Sequence, residues 1–259
     1  MGDAERRRNI KLVVAYNGWT YHGWQRQADG IDTIQQRLED AACRVLGHPV
    51  VVFGAGRTDA GVHAEGQVAN FYTTNLSIPT VGIRRAITSR LPRDIAVRSA
   101  EEVPEDFHAL RSAVGKTYRY RIHVGPVRPV MLCRQVYHYF LPLDFEAMCE
   151  AAGRLVGTHD FAGFATAADK REDTVRTIYR CEPAETTDEI YVTVQGNGFL
   201  YNMVRIIVGT LIEIGRGHWP PDRIDRILAS RSRSDAGPSA PPQGLCMVCV
   251  HYRHEDLVS

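Results

Sequence analysis

The strongest constraint on the fold is a switch of apolar periodicity that happens twice along the chain. IKLVVAY (Ile10 to Tyr16) alternates Ile10, Leu12, Val14 and Tyr16 against Lys11, Val13 and Ala15, the period of two of a strand. After the aromatic, glycine-rich stretch NGWTYHGWQRQADG the period becomes helical. Ile34, Leu38, Ala41/Ala42 and Val45 share one face, Thr33 and Gln36 form a capping box, and Gly47 stops the helix. VVVF (Val50 to Phe53) and QVANFYT (Gln67 to Thr73) read as strands again. A helix from about Thr80 to Arg90 and the strand IAVRSAEEV follow. The order is β-α-β-β-α-β.

The second half repeats it. KTYRYRIHV (Lys116 to Val124) reads as a strand. Asp144 caps a helix whose face includes Met148, Ala151/Ala152 and Leu155 and which is expected to end at Gly157. TVRTIYRCEPAE and EIYVTVQGN form a hairpin, FLYNMVRIIVGTLIEIG a long apolar helix, and GLCMVCVHY a closing strand. Two such orders in succession predict an α+β protein of two ferredoxin-like halves, residues 1–107 and 108–259. These would form a mixed, mostly antiparallel central sheet with helices packed on it. The duplication rests on element order, not on a residue-level repeat. RSRSDAGPSAPPQG (Arg231 to Gly244), rich in Ser, Pro and Gly, predicts a loop or partly mobile lid.

With 259 residues, 44% hydrophobic and 24% charged, the chain can bury a sizeable core, and its composition is that of an ordinary globular protein. No apolar run approaches a membrane span. MGDAERRRN is followed by no apolar h-region, so no secretory signal and a cytoplasmic location are expected. Six cysteines in that setting are expected to be reduced thiols. A net charge of +1 gives no global field, so a nucleic-acid partner would need local basic clusters. Candidates are Arg6 to Arg8, Arg84 with Arg85, and Arg111 through Lys116, Arg119 and Arg121. The alternative is that they are solvated faces balanced by thirty acids.

GAGRTDAGVHAEGQV (Gly54 to Val68) concentrates the candidate chemistry. A strand followed by G-x-G suggests a dinucleotide loop, but Asp59 occupies the third small position and the ribose-binding acid is missing from NFYTTNLS. His63-Ala64-Glu65 matches the H-x-E of zinc deaminases, with Cys246 and Cys249 as C-x-x-C. Leu245 stands where that signature has proline, and a strand would point the two sulfurs to opposite faces. No G-x-S-x-G elbow supports a serine nucleophile. Asp59 remains: small residues around it admit a large substrate, while a turn aspartate bonded to its own backbone is the plain alternative. Arg205, flanked by Met203, Val204, Ile206 and Ile207, needs an anionic partner if buried, and pairing with Asp59 would keep that carboxylate ionised. It could equally snorkel outward beside Tyr201. Pattern alone leaves both open.

GAGRTDAGVHAEGQVANF resembles the catalytic segment of the TruA-type tRNA pseudouridine synthases. YNGWTYHGWQRQ, TIQQRLEDA, LPRDIAV, DFHALRSAVGKTYRY, GTHDFAGF, VRTI, GNGFLYNMVRIIVG and APPQGL also resemble that family's segments, in its order, from about Ile10 to Tyr252. The resemblance implies the pseudouridine synthase fold. It also implies isomerisation of uridine at positions 38, 39 and 40 of the tRNA anticodon stem-loop, with no cofactor and no metal. It implies Asp59 as the catalytic aspartate, acting either on the sugar or as the base of an elimination. Tyr118 is implied to stack on the target base, Leu245 to pack it from the other side, Arg205 to be the basic residue of FLYNMVR, and Arg57 to hold the flipped nucleotide's place. A homodimer with tRNA spanning both subunits is implied, and no membrane.

The chain departs from the family pattern at Asn17 and Trp19 (usually Y-D-G-T), at Thr88 (usually Asn), at Leu110-Arg111 (usually FHAR and an aromatic) and at Pro242 (usually Ala). The shifted Arg111 bears on site choice among adjacent uridines. The rival readings are a non-catalytic RNA-binding protein on the same fold, although the RRM aromatic pattern is absent from the strands, and the zinc-dependent nucleobase deaminase.

Overall fold

The computed structural model describes residues 7–28, 30–166, 168–169 and 171–257; Arg6 of the N-terminal cluster lies outside the described residues. The chain forms two compact units, Met1–Ala113 with Met247–Tyr252, and Val114–Cys246 with Arg253–Ser259.

The first unit runs β1 (Arg8–Tyr16), α1 (Ile34–Leu46), β2 (Phe53–Gly54), β3 (His63–Thr73), α2 (Thr80–Thr88) and β4 (Ile95–Val103), the order predicted by the periodicities. β1 lies between β3 and β4, antiparallel to both, with Leu12 opposite Ala69 on one side and Ala100 on the other. The alternation in β1 places Ile10, Leu12, Val14 and Tyr16 in the core. At the start of α1, Thr33 accepts a hydrogen bond from the Gln36 N–H, and Gly47 ends the helix at φ 81°. The buried face closes on Leu46, whereas Val45 is only half-buried.

β2 is two residues long instead of the expected four, for a definite reason. The Val52 N–H donates to the Glu39 carboxylate (3.0 Å) and its carbonyl accepts from Gln35 Nε2 (3.1 Å), so that segment bonds to a helix rather than to a strand. Gln35 and Glu39, polar residues in the helical pattern, are buried in consequence.

The second unit contains β5 (Gly115–Val124), β6 (Tyr137–Tyr139), α3 (Phe145–Gly153), β7 (Gly157–Asp160), β8 (Val175–Glu185), β9 (Glu189–Gly196), α4 (Met203–Gly215), α5 (Arg223–Ser230) and the start of β10 (Leu245–His251). Its strands follow the order β5-β9-β8-β7, antiparallel where β5 meets β9 and β9 meets β8, with β6 added parallel to the end of β5. The molecule is thus an α+β protein with mostly antiparallel pairing. Asp144 caps α3 through the Ala147 N–H (3.0 Å), but the helix ends at Gly153, short of Gly157. Leu155 still reaches the core from the turn that follows. α4 is buried nearly all round, as its composition demands. From Met247 onward β10 belongs to the first unit and lies beside β3, where Gly66 leaves no room for a Cβ against the Val248 carbonyl.

The segment Arg231 to Gly244 is a loop, as expected from its composition. It carries two short 3-10 turns, Arg233–Asp235 and Pro242–Gly244, and is laced to the rest of the unit. Gly237 N–H donates to Thr210 Oγ1 (3.0 Å), Ala240 N–H to the Arg205 carbonyl (3.0 Å), and Tyr120 Oη to the Pro241 carbonyl (2.7 Å). Gly209 lies flush against the Pro238 carbonyl, closer than any side chain would permit. The loop forms a strap bound across α4.

Candidate active site

Asp59 sits in the loop between β2 and β3, half-buried and following exposed Arg57 and buried Thr58. The loop is fixed from several sides within the first unit. Its backbone bonds are Ala55 N–H to the Val68 carbonyl (2.7 Å), Trp24 N–H to the Thr58 carbonyl (3.0 Å) and Val62 N–H to the Asp59 carbonyl (3.1 Å). Among the side chains, Gln67 Nε2 donates to the Gly56 carbonyl (2.8 Å), and the hydroxyls of Tyr16 and Thr58 are 2.8 Å apart. Gly61 turns the chain at φ 81°, a conformation an L side chain rarely adopts. Gly54 faces the indole of Trp24 at a distance that leaves no space for a Cβ. The aromatic stretch after β1 is therefore the clamp of the acid-bearing loop. Tyr21 Oη donates to Asp94 Oδ1 (2.7 Å) and fixes that stretch in turn; burial and the carboxylate together push the Tyr21 pKa up.

Arg57 is held as well. Its Nε donates to Gln25 Oε1 (3.1 Å), Gln25 Nε2 donates to Gln35 Oε1 (2.7 Å), and Gln35 Nε2 donates to Glu39 (2.9 Å). A relay of carboxamides thus runs from the buried face of α1 to the exposed guanidinium. Tyr16, Gln25, Gln35, Thr58 and Gln67 escaped the sequence reading. The available signal was the unusual density of polar residues in YNGWTYHGWQRQ and along an otherwise amphipathic helix.

Tyr118, Leu245 and Arg205 lie in the second unit. Tyr118 projects from the buried face of β5, 8% exposed, with its ring edge-on to Phe199 at 5.2 Å. Leu245, 5% exposed, begins β10 immediately after Gly244, which rests on the Tyr120 ring. Arg205, in the first turn of α4, is half-buried. Its Nε donates to the Ala240 carbonyl (2.7 Å) and its Nη1 to Asn202 Oδ1 (2.8 Å), so the strap and the helix start orient its guanidinium. Asn202, just before the helix, adopts φ 62°.

The basic clusters separate into two kinds. Arg7 and Arg8 pair with Glu105 and Glu102, and Arg121 pairs bidentately with Glu189. By contrast Arg84, Arg85, Arg90 and Arg93, on and just after α2, make no ion pair among the described residues; all but the half-buried Arg84 are exposed.

The family model described as tRNA pseudouridine synthase matches residues 12–110 and 151–253. The chain belongs to the tRNA pseudouridine synthase family. A protein of Syntrophotalea carbinolica named tRNA pseudouridine synthase A is 45% identical over 249 residues, spanning 96% of this chain and 98% of that one. Proteins of the same name from Brevibacillus brevis and Acetivibrio thermocellus are 46% and 44% identical, each over 95% of this chain and all of theirs.

Membership in the synthase family agrees with what the rival motifs become in the fold. After Gly54 and Gly56 the chain enters a strand, β3, not the helix whose N-terminus would bind pyrophosphate. His63-Ala64-Glu65 starts that strand: His63 is buried with Nδ1 accepting from the Gly18 N–H (3.0 Å), while Glu65 is exposed. Cys246 and Cys249 are three apart on β10. The departures from the family pattern are accommodated locally. Asn17 caps its own turn through the Trp19 N–H (3.1 Å), and the Thr88 hydroxyl bonds the Val97 backbone (3.3 Å). Leu110 and Arg111 are exposed, and Pro242 opens a 3-10 turn. Among the described residues no helix is long and apolar enough to cross a membrane.

Proposed function

We propose that this synthase isomerises uridine to pseudouridine at positions 38, 39 and 40 of the tRNA anticodon stem-loop. The observation that carries this reading is the Asp59 loop: one half-buried carboxylate, presented by a turn anchored through backbone and side chains on both flanks. In the reaction the N1–C1′ bond breaks, the uracil rotates, and C5 bonds to C1′. The C5 proton leaves to solvent and N1 gains one. Reactant and product have the same composition, so one placed carboxylate and a site that retains the detached base suffice.

Asp59 is the essential acid, either adding to C1′ or removing a sugar proton. Tyr118 gives the base a flat face to stack on, and Leu245 packs its other side. Arg205 supplies the basic group, and Arg57, steadied by Gln25, takes the place of the extruded nucleotide in the RNA stack. Arg84, Arg85, Arg90 and Arg93 are suited to backbone phosphates, since no carboxylate among the described residues competes for them. The enzyme works in the cytoplasm as a homodimer.

Tritium release from transcripts carrying [5-³H]uridine tests the reading directly. Wild-type protein should release label from the anticodon arm, and removing uridines 38, 39 and 40 one at a time should reduce release stepwise. Tight tRNA binding with no release from any tRNA would favour a non-catalytic RNA-binding protein instead.

A further inference from the structure

Among the described residues of the second unit, Lys116 is a cation without a counter-ion. It lies near the start of β5 on the same face as Tyr118, since same-face residues are two apart and about 7 Å from one another along a strand. Its partner across the sheet is Gly196, which has no side chain to set against it. The Phe199 ring lies over that glycine and meets Tyr118 edge-on. Among the described residues no group accepts a hydrogen bond from the ammonium, and the charge that acts on it is a second cation, Arg171.

Arg171 is itself immobilised. Nε and Nη2 grip the Asp169 carboxylate at 2.8 and 2.6 Å, and Nη1 donates to the Phe199 carbonyl at 2.9 Å. Asp169 also accepts the Tyr201 N–H (2.6 Å), and the guanidinium holds its carboxyl well below the usual carboxylate range. The Asp169 carboxylate is therefore committed to Arg171, while burial and Arg171 both pull the Lys116 pKa down. An ammonium drawn partly out of water with no partner costs free energy that an arriving anion would recover.

We propose that Lys116, together with the charge of Arg171, seats a backbone phosphate of the RNA beside the nucleotide whose base stacks on Tyr118. The proposal rests on the reading of Tyr118 given above. It assigns Lys116 a binding role, distinct from proton transfer.

The test uses the full chain and a tRNA transcript, with binding measured across a salt series for the wild type, Lys116→Gln and Lys116→Arg. Lys116→Gln should bind about tenfold more weakly at fixed salt, the scale of one charge-assisted hydrogen bond. Its slope of log affinity against log salt should fall by about 0.7–0.9, one phosphate contact. Lys116→Arg should restore both. With wild-type protein, a methylphosphonate scan across the anticodon arm should find one linkage next to the target uridine whose neutralisation weakens binding. That substitution should add little in Lys116→Gln.

An unchanged salt slope in Lys116→Gln overturns the proposal, as does a scan with no sensitive linkage. A pH–rate profile that changes shape while the slope stays fixed overturns it in favour of proton transfer. If Lys116→Gln does not fold, Lys116→Arg and the wild-type scan still decide. Absence of tritium release from any tRNA would sink the isomerase reading alone, because the binding measurements do not depend on turnover.

Discussion

The tripeptide Asp-Ala-Gly occurs twice in this chain, at Asp59–Gly61 and at Asp235–Gly237, each time in a glycine-rich loop. The two loops use the same residues in opposite ways. At Asp59 the loop is held by its neighbours: Thr58 through Tyr16 and Trp24, Gly56 through Gln67, and the turn through Gly61 at positive φ. At Asp235 the tripeptide is itself the fastening. Gly237 presses on the backbone of Thr210 and donates to its hydroxyl, and the Asp235 carbonyl receives Nε and Nη2 of Arg223. A short motif therefore does not announce an active site. What separates the two is where the surrounding hydrogen bonds converge.

The comparison breaks most sharply at the carboxylate. Asp59→Asn is expected to cut tritium release by on the order of 10³-fold or more, the scale for losing an essential catalytic group. Its thermal midpoint, measured alongside, separates lost chemistry from lost folding. Substantial activity in that variant would move the chemistry away from this loop.

Next in size is packing. Gly209→Ala places a methyl into the Pro238 carbonyl, with backbone on both sides and nothing flexible to yield. Overpacking of that kind is expected to destabilise by about 3 kcal/mol, read from urea denaturation. Gly61→Ala meets a different obstacle, a left-handed turn costing about 1–2 kcal/mol, and should also lower kcat by tilting Asp59. A Gly61→Ala variant that loses stability without losing activity would show that the turn is only structural.

A smaller effect is expected at the clamp. Tyr16→Phe removes the hydroxyl that bonds Thr58 Oγ1 and should cost about 1 kcal/mol of stability. Because Thr58 adjoins the acid, kcat should fall severalfold while KM for tRNA stays close to wild type. The reverse split, with KM rising and kcat intact, would mean that Tyr16 serves RNA binding instead.

Local signals made most of the fold legible. The Thr33 cap and Gly47 stop delimit α1 correctly because both act within one turn, and the alternation in β1 needs only its two faces. What failed were features decided by distant partners. Val50 to Val52 has a strand's composition, yet Gln35 and Glu39 capture the backbone of Val52. β6, β7 and α5 went unread because they are three, four and eight residues long, too short for a period to declare itself. The Ser/Pro/Gly composition of Arg231 to Gly244 marked a loop, but not that its small residues permit tight apposition to α4. In the candidate site the acid and its loop were readable, whereas the clamp from Tyr16 and Trp24 appears only once β1 and β3 pair.

The finest distinction concerns the second aspartate. The Asp235 carboxylate lies 3.5 Å from Arg223, with both side chains partly solvated, a setting in which an ion pair contributes about 0–1 kcal/mol. The firmer bonds from that arginine, at 3.1 and 2.8 Å, go to the Asp235 carbonyl, which any residue supplies. Asp235→Asn is therefore expected to lose no more than about 0.5 kcal/mol by denaturation and to release tritium at the wild-type rate. Gly237 is the member of this tripeptide that cannot be replaced cheaply, since a Cβ there would meet the Thr210 backbone at 2.8 Å. Should Asp235→Asn prove as inactive as Asp59→Asn, both tripeptides would have to act in the reaction, and the strap would need reassignment from structural to catalytic.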